Sequence, residues 1–173
     1  MRYFKQELWL GANAPAKARA SQDRWMLNLE SYRVQLKALQ PRLTPGIYRF
    51  FTQTSLHDGR LVSLSVGDQV HGRSGNSRWS EPFAVIDAVD AYQKRHHILN
   101  YRGIRRLAFD YPSNEPLFHM TCGPIGDWGY DELTAAEDNF LRHEILFSSG
   151  TTLLIEFQEI KHHTRGVMQA ARG

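Results

Sequence analysis

An α+β fold, with an N-terminal amphipathic helix packed on a mainly antiparallel β-sheet or β-sandwich, follows from three observations on this chain. Apolar residues recur at helical spacing between residues 15 and 39. Later stretches alternate apolar and polar with a period of two, and two such alternations near the end flank "SSG", a hairpin signature. The 173 residues are 42% hydrophobic, enough for one packed core, so the chain reads as a single domain.

The helical segment, about 14–40, carries Trp25, Leu29, Tyr32, Leu36 and Leu39 at alternating spacings of four and three, which places them on one stripe. Arg24, Glu30, Gln35 and Lys37 are assigned to the opposite side. Pro41 stops the helix, with Pro45 and Gly46 beyond it.

From about 47 to 163 the chain reads as mainly β. In "GRLVSLSVGD" Val62, Leu64 and Val66 share one face while Ser63 and Ser65 share the other, as in a half-buried strand. Residues 67–80, rich in glycine and serine, form a connection. Residues 83–92 are read as a strand, although Val85, Val89 and Tyr92 after Ser80 and Pro82 also fit a capped helix. "QKR" makes a turn, and 96–110 supplies one bent strand or two short ones, broken near Gly103.

Parity decides the last hairpin. Leu141, Ile145 and Phe147 must share a face with Leu153, Ile155 and Phe157, which requires a loop with an odd number of residues. Residues 148–150 satisfy this, with Gly150 left-handed. Ile145 then lies opposite Leu153, and Arg142 opposite Glu156 on the polar face, a pairing worth about 0.2–1 kcal/mol. Residues 164–173 are expected to fray.

Composition narrows the function classes. With 21 basic and 18 acidic residues the net charge is only +3, which argues against a whole-surface nucleic-acid footprint. Cys122 is the sole cysteine, so neither an internal disulfide framework nor a cysteine zinc site is available, and a reducing compartment fits. The opening "MRYFKQELWLGANAPAKARA" is rejected as a secretory signal because its apolar run is short and broken by Glu7. No run is long enough to span a membrane, and a cytoplasmic location is expected.

The candidate sites are few. "GPIGDWGYDEL" places Asp127, Trp128, Tyr130, Asp131 and Glu132 among glycines. It reads as an irregular loop whose aromatics anchor a partner or plug the sheet end, with Thr134 and Glu137 forming a capping-box pattern after it. "SLHDG" puts His57 beside Asp58 at a turn. A metal centre would combine His57 and Asp58 with one of His96, His97 or His119, yet the spacing matches no ligand motif. The alternative gives His57 and Asp58 turn-forming roles. His143, flanked by Leu141 and Ile145, reads as a satisfied core histidine, and Cys122 has no recognisable catalytic partners. Lys94, Arg102, Arg105 and Arg106 form the most basic stretch, but strand alternation splits the arginines between faces.

The segments "MRYFKQELW", "SLHDGRLVSLSVGD", "GDWGYDELT" and "FLRHEILFSSGTTLLIEF", in this order, resemble an uncharacterised bacterial family of unknown function. The resemblance implies a bacterial source and transfers no catalytic residue. Small bacterial domains of this kind are often interaction modules, including immunity-like proteins. The expected function is therefore a non-enzymatic module without cofactor, binding an unidentified protein partner through Asp127, Trp128, Tyr130, Asp131 and Glu132 together with His57 and Asp58. One alternative is a metal-dependent hydrolase or isomerase using the His/Asp set. The other is weak nucleic-acid binding.

Overall fold

The computed structural model describes residues 1–12, 14, 17–71, 79–111 and 125–167. Helices α1 (Gln6–Ala12) and α2 (Ala18–Leu39), a single 3₁₀ turn at Gln40–Arg42 and α3 (Pro45–Gln53) precede every strand. The strands are β1 (Gly59–His71), β2 (Trp79–Val89), β3 (Arg95–Arg102), β4 (Arg106–Asp110), β5 (Asp127–Ala135), β6 (Leu141–Phe147), β7 (Thr152–Phe157) and β8 (Glu159–Gly166). All paired strands are antiparallel, in the order β4-β7-β6-β5-β1-β2-β3-β8.

That order closes on itself. β3 and β4 are halves of one strand bent at Gly103 (φ 60°), and β7 and β8 are halves of another bent at Gln158. The two bent strands run alongside each other, with Arg102 opposite Glu159 and Arg106 opposite Glu156. Six strands thus form a ring, a small barrel. Its seam lies between β1 and β5, where only Gly59–Trp128 and Arg60–Asp127 pair. Curvature brings side chains of non-neighbouring strands together: Tyr101 on β3 meets His143 on β6, with the hydroxyl 2.7 Å from Nδ1. Trp128, Phe147, Phe157 and Ile155 fill the interior.

The helical stripe is as expected: Tyr32, Leu36 and Leu39 are buried, with Trp25 and Leu29 partly buried against them. Gln35 departs from its assignment. Three residues after Tyr32, it sits at the stripe's edge, and its Oε1 is buried without a hydrogen bond among the described residues. α3 lies where the β region was expected to begin. Thr44 caps it by accepting from Ile47 N, Pro45 occupies the first turn, and Ile47 and Phe50 face the core.

Of residues 83–92, read as a strand, 83–89 are strand and 90–92 belong to the turn that follows, while 67–71 and 79–80, read as connection, are the ends of β1 and β2; the break at Gly103 is present. In the last hairpin Ile145 faces Leu153 and Arg142 faces Glu156. Phe147 N donates to Thr151 O (2.9 Å), closing a loop of residues 148–150 with Gly150 at φ 88°.

Several expectations are corrected. Val62 and Val66 do not join Leu64 in the core and are 47% and 60% exposed. A bulge between Leu61 and Ser63 turns Val62 outward, and past Arg60 the strand pairs with β2 alone among the described residues, which leaves Val66 at an edge of the described sheet. Residues 127–132 are strand rather than irregular loop, while 123 and 124 lie outside the described residues. Thr134 belongs to β5 and caps no helix: the chain reverses through Asp138 and Asn139, both with positive φ, and Ala136 N donates to Phe140 O (2.8 Å). The tail does not fray at 164, because β8 stays paired to Gly166, opposite Arg95.

Candidate functional site

The site forms where the turn before β1 meets the start of β5. Asp58 adopts φ 61° and its N–H donates to Trp128 O (2.9 Å), so the turn and β5 are joined. His57 Nδ1 lies 2.6 Å from Gly129 O. A carbonyl only accepts, so Nδ1 carries the proton. Nε2 then points toward Asp58 at 3.7 Å. The imidazole stacks on Tyr130 (4.8 Å, 29°), whose other neighbours are Phe4, Trp9 and Trp25.

β5 holds a bulge between Trp128 and Tyr130. In a regular strand residues three apart face opposite sides, but this bulge puts Trp128 and Asp131 on one side. Trp128 Nε1 donates to Asp131 Oδ1 (3.0 Å), and His143 Nε2 lies 3.1 Å from Oδ2. With the carboxylate accepting, His143 donates from Nε2 and accepts the Tyr101 hydroxyl at Nδ1. The result is a continuous Tyr101–His143–Asp131 chain from the barrel interior to its surface. His143 is thus the satisfied core histidine that its apolar flanks implied.

Above Asp131 is a pocket of about 140 Å³ walled by Phe4, Tyr32, Phe51, His57 and Tyr130, with Thr54, Ser55 and Gly129 completing it. Asp131 gives the pocket its one lining carboxylate among the described residues. Burial and then the Asp131 charge push the Tyr101 phenol well up, and the same two causes raise Tyr32. Burial and then Asp58 raise Tyr130.

Of the residues singled out in the sequence, His57, Asp58, Tyr130 and Asp131 converge here. Asp127 sits beside them, paired across the seam with Arg60. Trp128 and Glu132 are removed from any partner-facing role by burial, both being 0% exposed. Glu132 instead receives three backbone N–H groups of the N-terminal segment: Arg2 at Oε1, and Tyr3 (2.8 Å) and Phe4 (3.2 Å) at Oε2. Sequence reasoning missed Phe4, Tyr32 and Phe51 as pocket walls. Tyr32 carried only a core signal, and nothing local marked Phe4 or Phe51.

Among the described residues the proposed metal set does not assemble. His96 binds Asp87 (2.6 Å) on the outer face of β3, His97 faces inward toward His162 (3.2 Å), and His57 is at the seam. His119 lies outside the described residues, as does Cys122, and no cluster of three metal-ligating side chains occurs among those described. The basic stretch is likewise dispersed. Arg105 is held by Glu156 (2.8 Å) and Asp138 (3.1 Å), Arg106 lies on β4, and Lys94 and Arg102 flank opposite ends of β3, about 25 Å apart at strand rise. No described helix is long and apolar enough to cross a membrane.

Comparison with protein-family models, characterised proteins and solved structures returned no match. The functional reading therefore rests on the site.

Proposed function

We propose that the protein is a binding module that docks a protein partner on the seam formed by residues 54–58 and β5, taking one lysine side chain of that partner into the aromatic pocket. The observation that supports this is the Asp131 carboxylate lining a pocket walled by Phe4, Tyr32, Phe51 and Tyr130. A carboxylate has about four lone-pair positions, so two remain after Trp128 and His143 have donated. An ammonium over aromatic faces gains about 0.5–2 kcal/mol in addition to its ion pair. The volume suits one alkylammonium chain, and the exposed Asp58 extends the negative surface toward the partner.

The test uses a short peptide carrying one lysine and the same peptide acetylated on that lysine, titrated into ¹⁵N-labelled protein. The lysine peptide should shift the amides of His57, Tyr130 and Asp131, and the acetylated peptide should not. Tyr130→Ala should abolish the response, with circular dichroism of the variant separating loss of the pocket from loss of the fold. Equal binding of the two peptides would refute the reading.

A further inference from the structure

A second concavity lies away from the seam, on the outer face of β2, β3 and β8, with a volume of about 730 Å³. Pairing explains its lining. Phe83 is opposite Arg102, Val85 opposite Asn100, and Asn100 opposite Lys161, so all project on one face. His163, two residues beyond Lys161, joins them. Part of β1, around Asp68 and Val70, supplies a further wall.

Arg105, Arg142 and Arg165 each pair with a carboxylate. Arg102 is half-buried beside Phe83, and its guanidinium makes no hydrogen bond or ion pair among the described residues. Lys161 contacts Glu159 at 3.1 Å, but both side chains are largely exposed, so the pair is weak and the ammonium is available to a competing anion. Asn100 Nδ2 lies 3.5 Å from His163 Nδ1, which orients that ring in the groove. Phe83, Val85 and the exposed Val70 give the groove apolar walls. An apolar concavity of a few hundred Å³ with several convergent polar groups is the usual form of a small-molecule site.

We infer that this groove binds a small organic anion, with a carboxylate head held by Arg102 and Lys161 and an apolar body laid along Phe83 and Val85. The guanidinium presents a planar pair of donors that matches a carboxylate. Glu159, across the strand pair from Arg102 and 3.1 Å from the Lys161 ammonium, opposes a second negative charge, which favours a monoanion. The site is independent of the seam pocket, where the preferred charge is positive.

Submicellar decanoate, decan-1-ol and decylamine separate charge recognition from greasiness when titrated into ¹⁵N-labelled protein. Decanoate should shift the amides of Phe83, Asn100, Arg102 and Lys161, with decan-1-ol binding about tenfold or more weakly, since a hydrogen bond to a charged group contributes about 1.5–3 kcal/mol. Arg102→Gln should reduce decanoate affinity about tenfold and leave decan-1-ol unchanged. Lys161→Gln, at an exposed position, should lower it by a smaller factor. Equal affinities for decanoate and decan-1-ol, no loss in either variant, or shifts confined to the Tyr130 pocket would overturn the inference.

Discussion

Replacing Glu132 by Gln removes one charge and adds two N–H donors at a point where three backbone donors already converge. In the native protein Arg2, Tyr3 and Phe4 all donate to this fully buried carboxylate, and the Met1 ammonium pairs with Glu144 Oε1 nearby (2.8 Å). The best orientation of the new amide turns its oxygen toward Tyr3 and Phe4 and its nitrogen toward Arg2. Two charge-assisted bonds then become neutral, losing about 1 kcal/mol each, and a donor–donor contact replaces the third at a cost of about 1–3 kcal/mol. The sum, about 3–5 kcal/mol, is a large part of the 5–15 kcal/mol typical of a domain. Release of the N-terminal segment limits that loss, because the chain sheds the contact by undocking Phe4 from Trp25, Tyr32 and Tyr130. Hydrogen exchange should therefore show the Tyr3 and Phe4 amides deprotected, with a lowered urea midpoint. A stability change under about 1 kcal/mol with both amides still protected would refute the reasoning.

Other outcomes follow from the same geometry. Glu156 is only 4% exposed and bridges Arg105 and Arg142, so Glu156→Gln, expected to be silent from its place on a polar face, should instead destabilise by about 1 kcal/mol after discounting for solvent around the guanidinium groups. Burial raises its pKa, but hydrogen bonds from Arg105 and then Arg142 outweigh that and hold it below the ordinary carboxylate value; its contribution is present above that value and lost as pH falls through the folded pKa, and urea titrations of wild type and variant should converge in acid. His162 is pushed down to about 4 by burial first and then by His97 and His163, so the unfolded chain takes up the proton first: stability should fall between the ordinary 6.5 and about 4, with a shallower slope in His162→Gln measured by urea midpoint against pH. In the terminal hairpin, Ile155→Asp should prevent folding by circular dichroism because the side chain is fully buried, whereas Val62→Thr, at an exposed bulge, should change stability by less than about 0.5 kcal/mol.

The chain's own periodicities determined the parts whose partners are near in sequence or share an unbroken pattern. The α2 stripe is legible because Trp25, Leu29, Tyr32, Leu36 and Leu39 repeat at helical spacing. The hairpin register is legible because a one-residue slip would carry Ile145, Leu153 and Ile155 to the other face. His143 could be assigned to the core on the same grounds. The closeness of the His57 turn to residues 127–131 was also anticipated, and the seam pairs Gly59 with Trp128.

Tertiary structure decided everything that depends on a broken alternation or a distant partner. Glycines around Trp128 suggested a loop, yet Gly129 sits at a bulge inside β5, and only that extra residue turns Trp128 and Asp131 to the same side. Thr44, Pro45, Ile47 and Phe50 contained a helix start, but the prolines and glycine were read as a terminator. Glu132 and Glu156 look alike in sequence as strand carboxylates. Their fates differ because the amides of residues 2–4 fold onto one, and Arg105, across a strand bend, reaches the other. Local pattern specifies which face a side chain occupies; what meets it there is set by how the sheet curls, and no window of sequence contains that curvature.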